Sequence, residues 1–262
     1  MNTLIRTVRA EMLKNRHSSI VKTTFIAFAL APLMGGVFMM IMRSPQALAR
    51  SGGLSAKMQA MQLTVDWNAY FQILTQAVGV GGVLIFGFVA SWTFGREYAE
   101  GTAKDLMALP TSRRKIIQAK FVVYALWCLA LAASNLLIGF LIGSALQLAP
   151  MAAPVAQTQF MYYAGTTLLT ILSGIPIAFF AIWGKGYLAP LGFVALTLVF
   201  SQIIAATGFG AYFPWAIPGL FSGAGGEYRD QLTMTSYSIL MITSILGYFS
   251  SIVYWERSDH SK

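Results

Sequence analysis

Residues 121–147, "FVVYALWCLALAASNLLIGFLIGSALQ", contain no charged side chain. A helix needs about 20 mostly apolar residues to cross the hydrocarbon core of a bilayer, and this run exceeds that. Comparable runs occupy about 23–42, 72–94, 161–183, 187–206 and 236–255. In lipid every backbone N–H and C=O must be paired within the protein, so isolated apolar runs of this length become helices. The expected fold is all-α and integral to the membrane, with six transmembrane helices in a single transmembrane domain over 1–262. Composition agrees. Only 10% of the residues are charged and the mean hydropathy is +0.64, whereas soluble domains carry roughly 25% charged residues.

The basic residues predict an orientation. If the N-terminus is cytoplasmic, Arg6, Arg9, Lys14, Arg16, Lys22, Arg96, Lys104, Arg113, Arg114, Lys115, Lys120, Lys185, Arg257 and Lys262 lie inside. Only Arg43, Arg50, Lys57 and Arg229 remain outside. Cytoplasmic loops collect Lys and Arg, so both termini are expected in the cytoplasm. The net charge of +9 then reflects topology, and nucleic acid is not an expected partner. Five of the six tryptophans (Trp67, Trp92, Trp183, Trp215 and Trp255) fall near span ends, where amphipathic rings prefer to sit.

Residues 1–20 read as an amphipathic interface helix. Leu4, Ile5, Val8, Met12 and Leu13 recur at helical spacing, with Arg6, Arg9 and Lys14 largely off that stripe. Such a helix lies in the headgroup plane; a charged leader that merely orients the first span is the plainer reading. "SPQALAR" offers an Ala-x-Ala, but leader and apolar run together exceed a secretory signal, so no cleavage is expected. After the fifth span "ATGFGAYFPWAIPG" turns Gly/Pro-rich, and a re-entrant pair of short helices over 208–226 fits it.

Recognisable catalytic chemistry is missing from the sequence. "IWGKGY" lacks phosphate-cradling spacing. His17 and His260 sit near opposite ends and Cys128 is the one cysteine, so neither a metal cluster nor an internal disulfide is expected. No cofactor is expected in this chain. Gln76, Asn135 and Gln202 are polar positions inside spans; each either glues helices together or lines a substrate path. Gly139 and Gly143 form a GxxxG that admits a close helix. Pro32 with Gly35 and Gly36, and Gly174 with Pro176, are expected to bend the first and fourth spans.

Charge concentrates in "REYAEGTAKDLMALPTSRRKIIQAK", Arg96 to Lys120. Projected as a helix over 97–109, Tyr98, Thr102, Leu106 and Leu109 share one side, while Glu97, Glu100 and Lys104 share the other. Gly101 weakens that helix and suggests close approach by another backbone. Pro110 ends it, and Thr111 or Ser112 then caps the third span. Arg113, Arg114 and Lys115 oppose the macrodipole of the helix they open, so lipid phosphates or an acidic partner must favour them there.

With this loop between the second and third of six spans, the sequence resembles permease subunits of ABC-2 type (type V) exporters. It is most similar to the small permeases of bacitracin-resistance and lantibiotic-immunity systems. The matching residues are Arg96, Glu97, Tyr98, Gly101, Thr102, Leu106, Pro110, Ser112, Arg113, Ile116, Ala119 and Lys120. The resemblance implies a multi-pass bacterial inner-membrane protein that pairs with a second permease, identical or homologous. It implies docking of two copies of a separate ATPase that holds ATP and Mg, with no catalytic site in the permease. The ATPase-coupling residues would be Glu97, Tyr98, Gly101, Thr102, Leu106, Leu109, Pro110, Arg113 and Arg114, and the cargo an amphiphilic antimicrobial peptide or lipid-associated compound. Two other readings stand beside it: a non-transporting scaffold or sensor that binds a cytoplasmic protein through the same loop, and an intramembrane enzyme, which the missing catalytic cluster disfavours.

Overall fold

A computed structural model describes residues 3–16, 18–44, 64–103, 106 and 111–257. His17, Arg50, Lys57, Lys104, Asp105, Leu109, Pro110, His260, Lys262 and the Ala-x-Ala of "SPQALAR" lie outside the described residues. The helices are α1 (Thr3–Arg16), α2 (Ser19–Arg43), α3 (Trp67–Ala99), α4 (Arg113–Ala145), α5 (Ala153–Trp183), α6 (Leu188–Ala206), α7 (Ile217–Phe221) and α8 (Met234–Arg257). Among the described residues, six of these (α2 to α6 and α8) are long and apolar enough to cross a membrane.

Most spanning helices outrun the apolar windows. The second begins at Trp67, where Asp66 Oδ1 accepts from the Ala69 N–H at 2.8 Å. The third begins at Arg113, so "RRKIIQAK" forms its first turns. At 1.5 Å per residue, 33-residue helices are about 50 Å long and project beyond a bilayer core of roughly 30 Å. Hydropathy registers only the part in hydrocarbon. Ser112 occupies the N-cap of α4 but makes no side-chain capping bond.

More than half of the apolar stretch of α3 and of α5 is buried, against about a third or less in the other four. α3 and α5 thus form the interior pair, α6 covers α3, α8 lies along α5, and α1 and α2 pack on α4. The GxxxG of α4 admits α3: Gly139 receives Leu74 and Gly143 receives Trp67. The outer faces of the bundle keep Ile26, Leu137, Leu141, Leu196 and Leu246 exposed, as lipid-facing positions require.

α2 and α5, the two helices expected to bend, continue through Pro32 and Pro176. In α5, Pro176 has no N–H to offer the Leu172 carbonyl four residues back. Side chains take over at this turn. Ser244 Oγ of α8 shares its proton between Leu172 O (2.9 Å) and Leu240 O (2.8 Å), while Tyr124 Oη of α4 donates to Ile171 O (2.9 Å) and Trp215 Nε1 to Ser173 O (3.0 Å). Neighbouring side chains satisfy freed carbonyls in this way inside membranes.

α3 also departs from a regular helix, with a π segment at Ala77–Gly81. The short helix α7 packs against it. A Cβ on Gly79 would lie 2.6 Å from Ser222 Cβ and 2.7 Å from Pro218 O, so only glycine admits α7 this closely. α7 is flanked by 3-10 turns at Gly210–Tyr212 and Gly226–Gln231.

Candidate functional site

The end of the bundle where α1 lies and α8 finishes gathers the charged loop. The single helix expected over 97–109 is broken at Gly101. α3 runs through Glu97 and Tyr98 to Ala99, Glu100 caps it, and Gly101 takes φ +73°. The Gly101 N–H donates back to Tyr98 O at 3.2 Å, the arrangement by which a left-handed glycine terminates a helix. Gly101 therefore serves as a stop, and nothing lies within 4 Å of where its Cβ would be. The loop then makes a further turn in which the Leu106 N–H donates to Thr102 O at 3.3 Å. Ala103 and Leu106 are buried within the chain and Thr102 is half-buried.

Glu97, which the projection groups with Glu100 and Lys104, is 2% exposed, with both carboxylate oxygens 2.6 Å from Lys120 Nζ. Lys120 is 1% exposed and also donates to Thr93 O (2.9 Å) and Glu11 Oε2 (3.4 Å). Lys14 Nζ lies 2.6 Å from Glu11 Oε1 and 3.6 Å from Glu97 Oε1. Beside them Arg96 Nη1 donates to Asn15 Oδ1 at 2.8 Å. Two carboxylates and two ammonium groups thus bind α1, the last turns of α3 and the first turns of α4 at one point. Tyr98 stacks edge-on against Trp255 of α8, with ring centroids 5.8 Å apart. Arg113 and Arg114 are exposed, and Arg113 Nη1 reaches Glu256 O at 3.2 Å.

Sequence reasoning missed Glu11 and Asn15. The apolar stripe of α1 is turned outward, with Ile5, Met12 and Leu13 exposed, while Glu11 and Asn15 face α3 and α4. The available signal was that Glu11 is the one acid in Thr3–Arg16. Burial acts to raise the Glu11 carboxyl, but Lys120 and Lys14 outweigh it and hold the group below its ordinary 4.5. A carboxyl lowered by folding stabilises the fold above its unfolded pKa, and that contribution is lost as pH falls through the folded value. Acidification below about pH 4.5 is expected to loosen α1 from α3 and α4, read as faster amide exchange in residues 3–16. Glu11→Gln should abolish this acid-dependent component. Exchange in α1 that ignores acid would count against it.

The opposite end of the bundle holds two cavities on either side of α7. Gln202 lines one of about 40 Å³, with Ser201, Gly79, Trp215 and Gly219. Gln76 lines the other, about 190 Å³, with Gln72, Thr75, Gln159, Ser222 and Arg229. Asn135 is not with them. It is fully buried between α4 and α5, where Tyr163 Oη donates to Ala132 O at 2.7 Å and lies 3.2 Å from Asn135 Oδ1. Among the described residues its Nδ2 has no partner. Asn135 therefore joins helices, while Gln76 and Gln202 border open space.

Comparison with known proteins matches residues 7–204 to the family model for ABC-2 family transporter proteins. The chain is also 28% identical over 195 residues to the bacitracin transport permease protein BCRB of Bacillus licheniformis, covering 74% of this chain and 90% of that protein. The matched region takes in α1's buried charges, the loop and five of the six long apolar helices. A multi-pass chain matched over most of its length by this model belongs to the ABC-2 transporter family.

Proposed function

We propose that this permease subunit exports an amphiphilic antimicrobial peptide or lipid-associated compound, driven by a separate ATPase that docks on the loop 96–120. The observation that carries the coupling half is the buried cluster of Glu11, Glu97 and Lys120, which joins the loop's two flanking helices to α1. A push on the loop would reach three helices together, because breaking such a cluster exposes uncompensated charge. Exposed Glu100, Arg113 and Arg114 offer the ATPase polar contacts, and Gly101 sets the angle at which the loop leaves α3. Membership in the ABC-2 family implies an ABC ATPase and a second permease. We infer two ATPase copies, which bind the ATP and Mg.

The basic residues favour the end that holds α1 as the cytoplasmic side of a bacterial plasma membrane. Segment 207–226 then enters from the outer side, and the exposed Phe209 and Tyr212 suit an amphiphile there. The bacitracin permease relative supports a peptide cargo and a role in self-protection.

Gly101→Val tests the coupling. A Cβ there meets nothing within 4 Å, so the main cost is the left-handed φ, about 1–2 kcal/mol for an ordinary residue and more for a β-branched one. The variant is expected to fold and to bind the ATPase while losing most ATP-driven export. Full export by Gly101→Val would sink the coupling role. Deleting this chain is expected to sensitise its host to bacitracin. Unchanged sensitivity together with normal ATP-dependent export would favour the scaffold reading instead.

A further inference from the structure

Two described arginines lie at the end of the bundle opposite α1. Arg43 is occupied: its guanidinium donates to Leu146 O (2.5 Å) and Gln147 O (3.0 Å). Arg229 is different. Its guanidinium carbon sits 3.7 Å from the Tyr162 ring centroid and 5.7 Å from that of Phe221. Stacking on aromatic rings uses the face of the guanidinium and leaves its N–H donors, which lie in the plane, for other partners. Nη2 is buried, yet has no hydrogen-bond partner among the described residues. Buried donors are normally satisfied, and charged ones most of all.

The cavity beside it, about 190 Å³, is predominantly polar in lining, and among the described residues no carboxylate lines it. Three of its polar groups already donate within the chain: Thr75 to Phe71 O (2.9 Å), Ser222 to Gly219 O (2.6 Å) and Gln159 to Asn68 Oδ1 (2.7 Å). The Gln72 and Gln76 amides make no hydrogen bond among the described residues. A fixed guanidinium and two uncommitted amides converge on one polar space. Phe160 and Met161 are exposed on α5 between the cavity-lining Gln159 and Tyr162, so apolar surface adjoins the polar cavity.

We propose that Arg229, with Gln72 and Gln76, binds an oxyanion, the phosphate or carboxylate head of an amphiphile whose apolar part lies along that surface. Guanidinium groups match such oxygens in geometry and charge. The site stands on its own contacts. That the anion belongs to the exported molecule rests on the transport reading above.

The full chain in an uncharged detergent is titrated with dodecyl phosphate, with dodecanoate or with inorganic phosphate, and thermal unfolding is followed. A ligand that binds only the folded state raises Tm as its concentration rises. Dodecyl phosphate is expected to do so, less in high salt, with Arg229→Gln weakening the apparent Kd by about tenfold or more. Gln76→Leu should weaken it less and Arg43→Gln not at all. A matching shift with inorganic phosphate assigns the site to the oxyanion alone, and a shift with the alkyl anions only assigns it to the amphiphile. Arg229→Gln that remains monodisperse and binds dodecyl phosphate like the wild type overturns the site, as does absence of any shift with all three. Intact bacitracin resistance in a strain carrying a binding-dead Arg229→Gln chain would detach the site from the cargo and leave the permease reading untouched.

Discussion

Lys120→Met is expected to destabilise the protein by about 3–5 kcal/mol, the cost of leaving buried charge uncompensated. Lys120 Nζ holds both oxygens of Glu97 at 2.6 Å and one oxygen of Glu11 at 3.4 Å. Without it, two carboxylates share a site with only Lys14, whose side chain is 34% exposed. Methionine fills the volume of the lysine stem, so the loss isolates charge from packing. The check is thermal unfolding of purified variants in one detergent. The triple variant Glu11→Gln, Glu97→Leu, Lys120→Met should recover most of the loss, because buried ion pairs replaced by apolar groups of similar size are often neutral or better. A single variant as stable as the wild type would show that the cluster is hydrated or loosely held. The triple variant also separates structure from function. If it folds and supports full ATP-driven export, the cluster holds helices together and transmits nothing. If it folds and export falls, the charges carry motion from the loop into α1, α3 and α4.

The architecture was legible because lipid leaves an apolar run of about 20 residues one outcome, a helix. All six runs are helices in the structure, and the boundaries moved for a physical reason. Asp66, Arg113 and Ala153 start helices in stretches that hydropathy reads as loop, since a helix does not end where hydrocarbon does. The charged loop was legible as a special region and misread in detail. Periodicity cannot tell a spanning helix that runs on to Ala99 from a new one that starts at Glu97; the left-handed Gly101 decides it. The burial of Glu97 was invisible because its partners lie 23 and 83 positions away in sequence, on Lys120 and Lys14. For the same reason the three mid-span amides looked alike. Only packing separates Asn135, enclosed between α4 and α5, from Gln76 and Gln202, which border cavities beside α7. The π segment at Ala77–Gly81 left no sequence signal beyond its two glycines, Gly79 and Gly81. π segments are often found at functional sites, and this one receives α7.

Gly247→Leu is expected to be the most damaging change on α8, because it strikes the turn around Pro176. A Cβ on Gly247 would lie 2.6 Å from Pro176 Cα and 3.0 Å from its nitrogen, and neither backbone atom can swing aside. α8 would have to back away from α5. That retreat also withdraws Ser244 Oγ from Leu172 O, the carbonyl that Pro176 cannot serve. Overpacking costs about 1–3 kcal/mol, and an unsatisfied buried carbonyl adds about 1–3 kcal/mol. Ser244→Ala removes the hydroxyl without moving the helix, so it should incur only the second cost. Gly247→Ala should fall between the two. Pro176→Ala combined with Ser244→Ala supplies a new N–H to Leu172 O and should recover part of the Ser244→Ala loss. Thermal unfolding of the four variants in one detergent ranks them. If Ser244→Ala proves worse than Gly247→Leu, the hydrogen bond outweighs the backbone contact. If Pro176→Ala brings no recovery, the Leu172 carbonyl is not what Ser244 stabilises, and the turn is held chiefly by Tyr124 and Trp215.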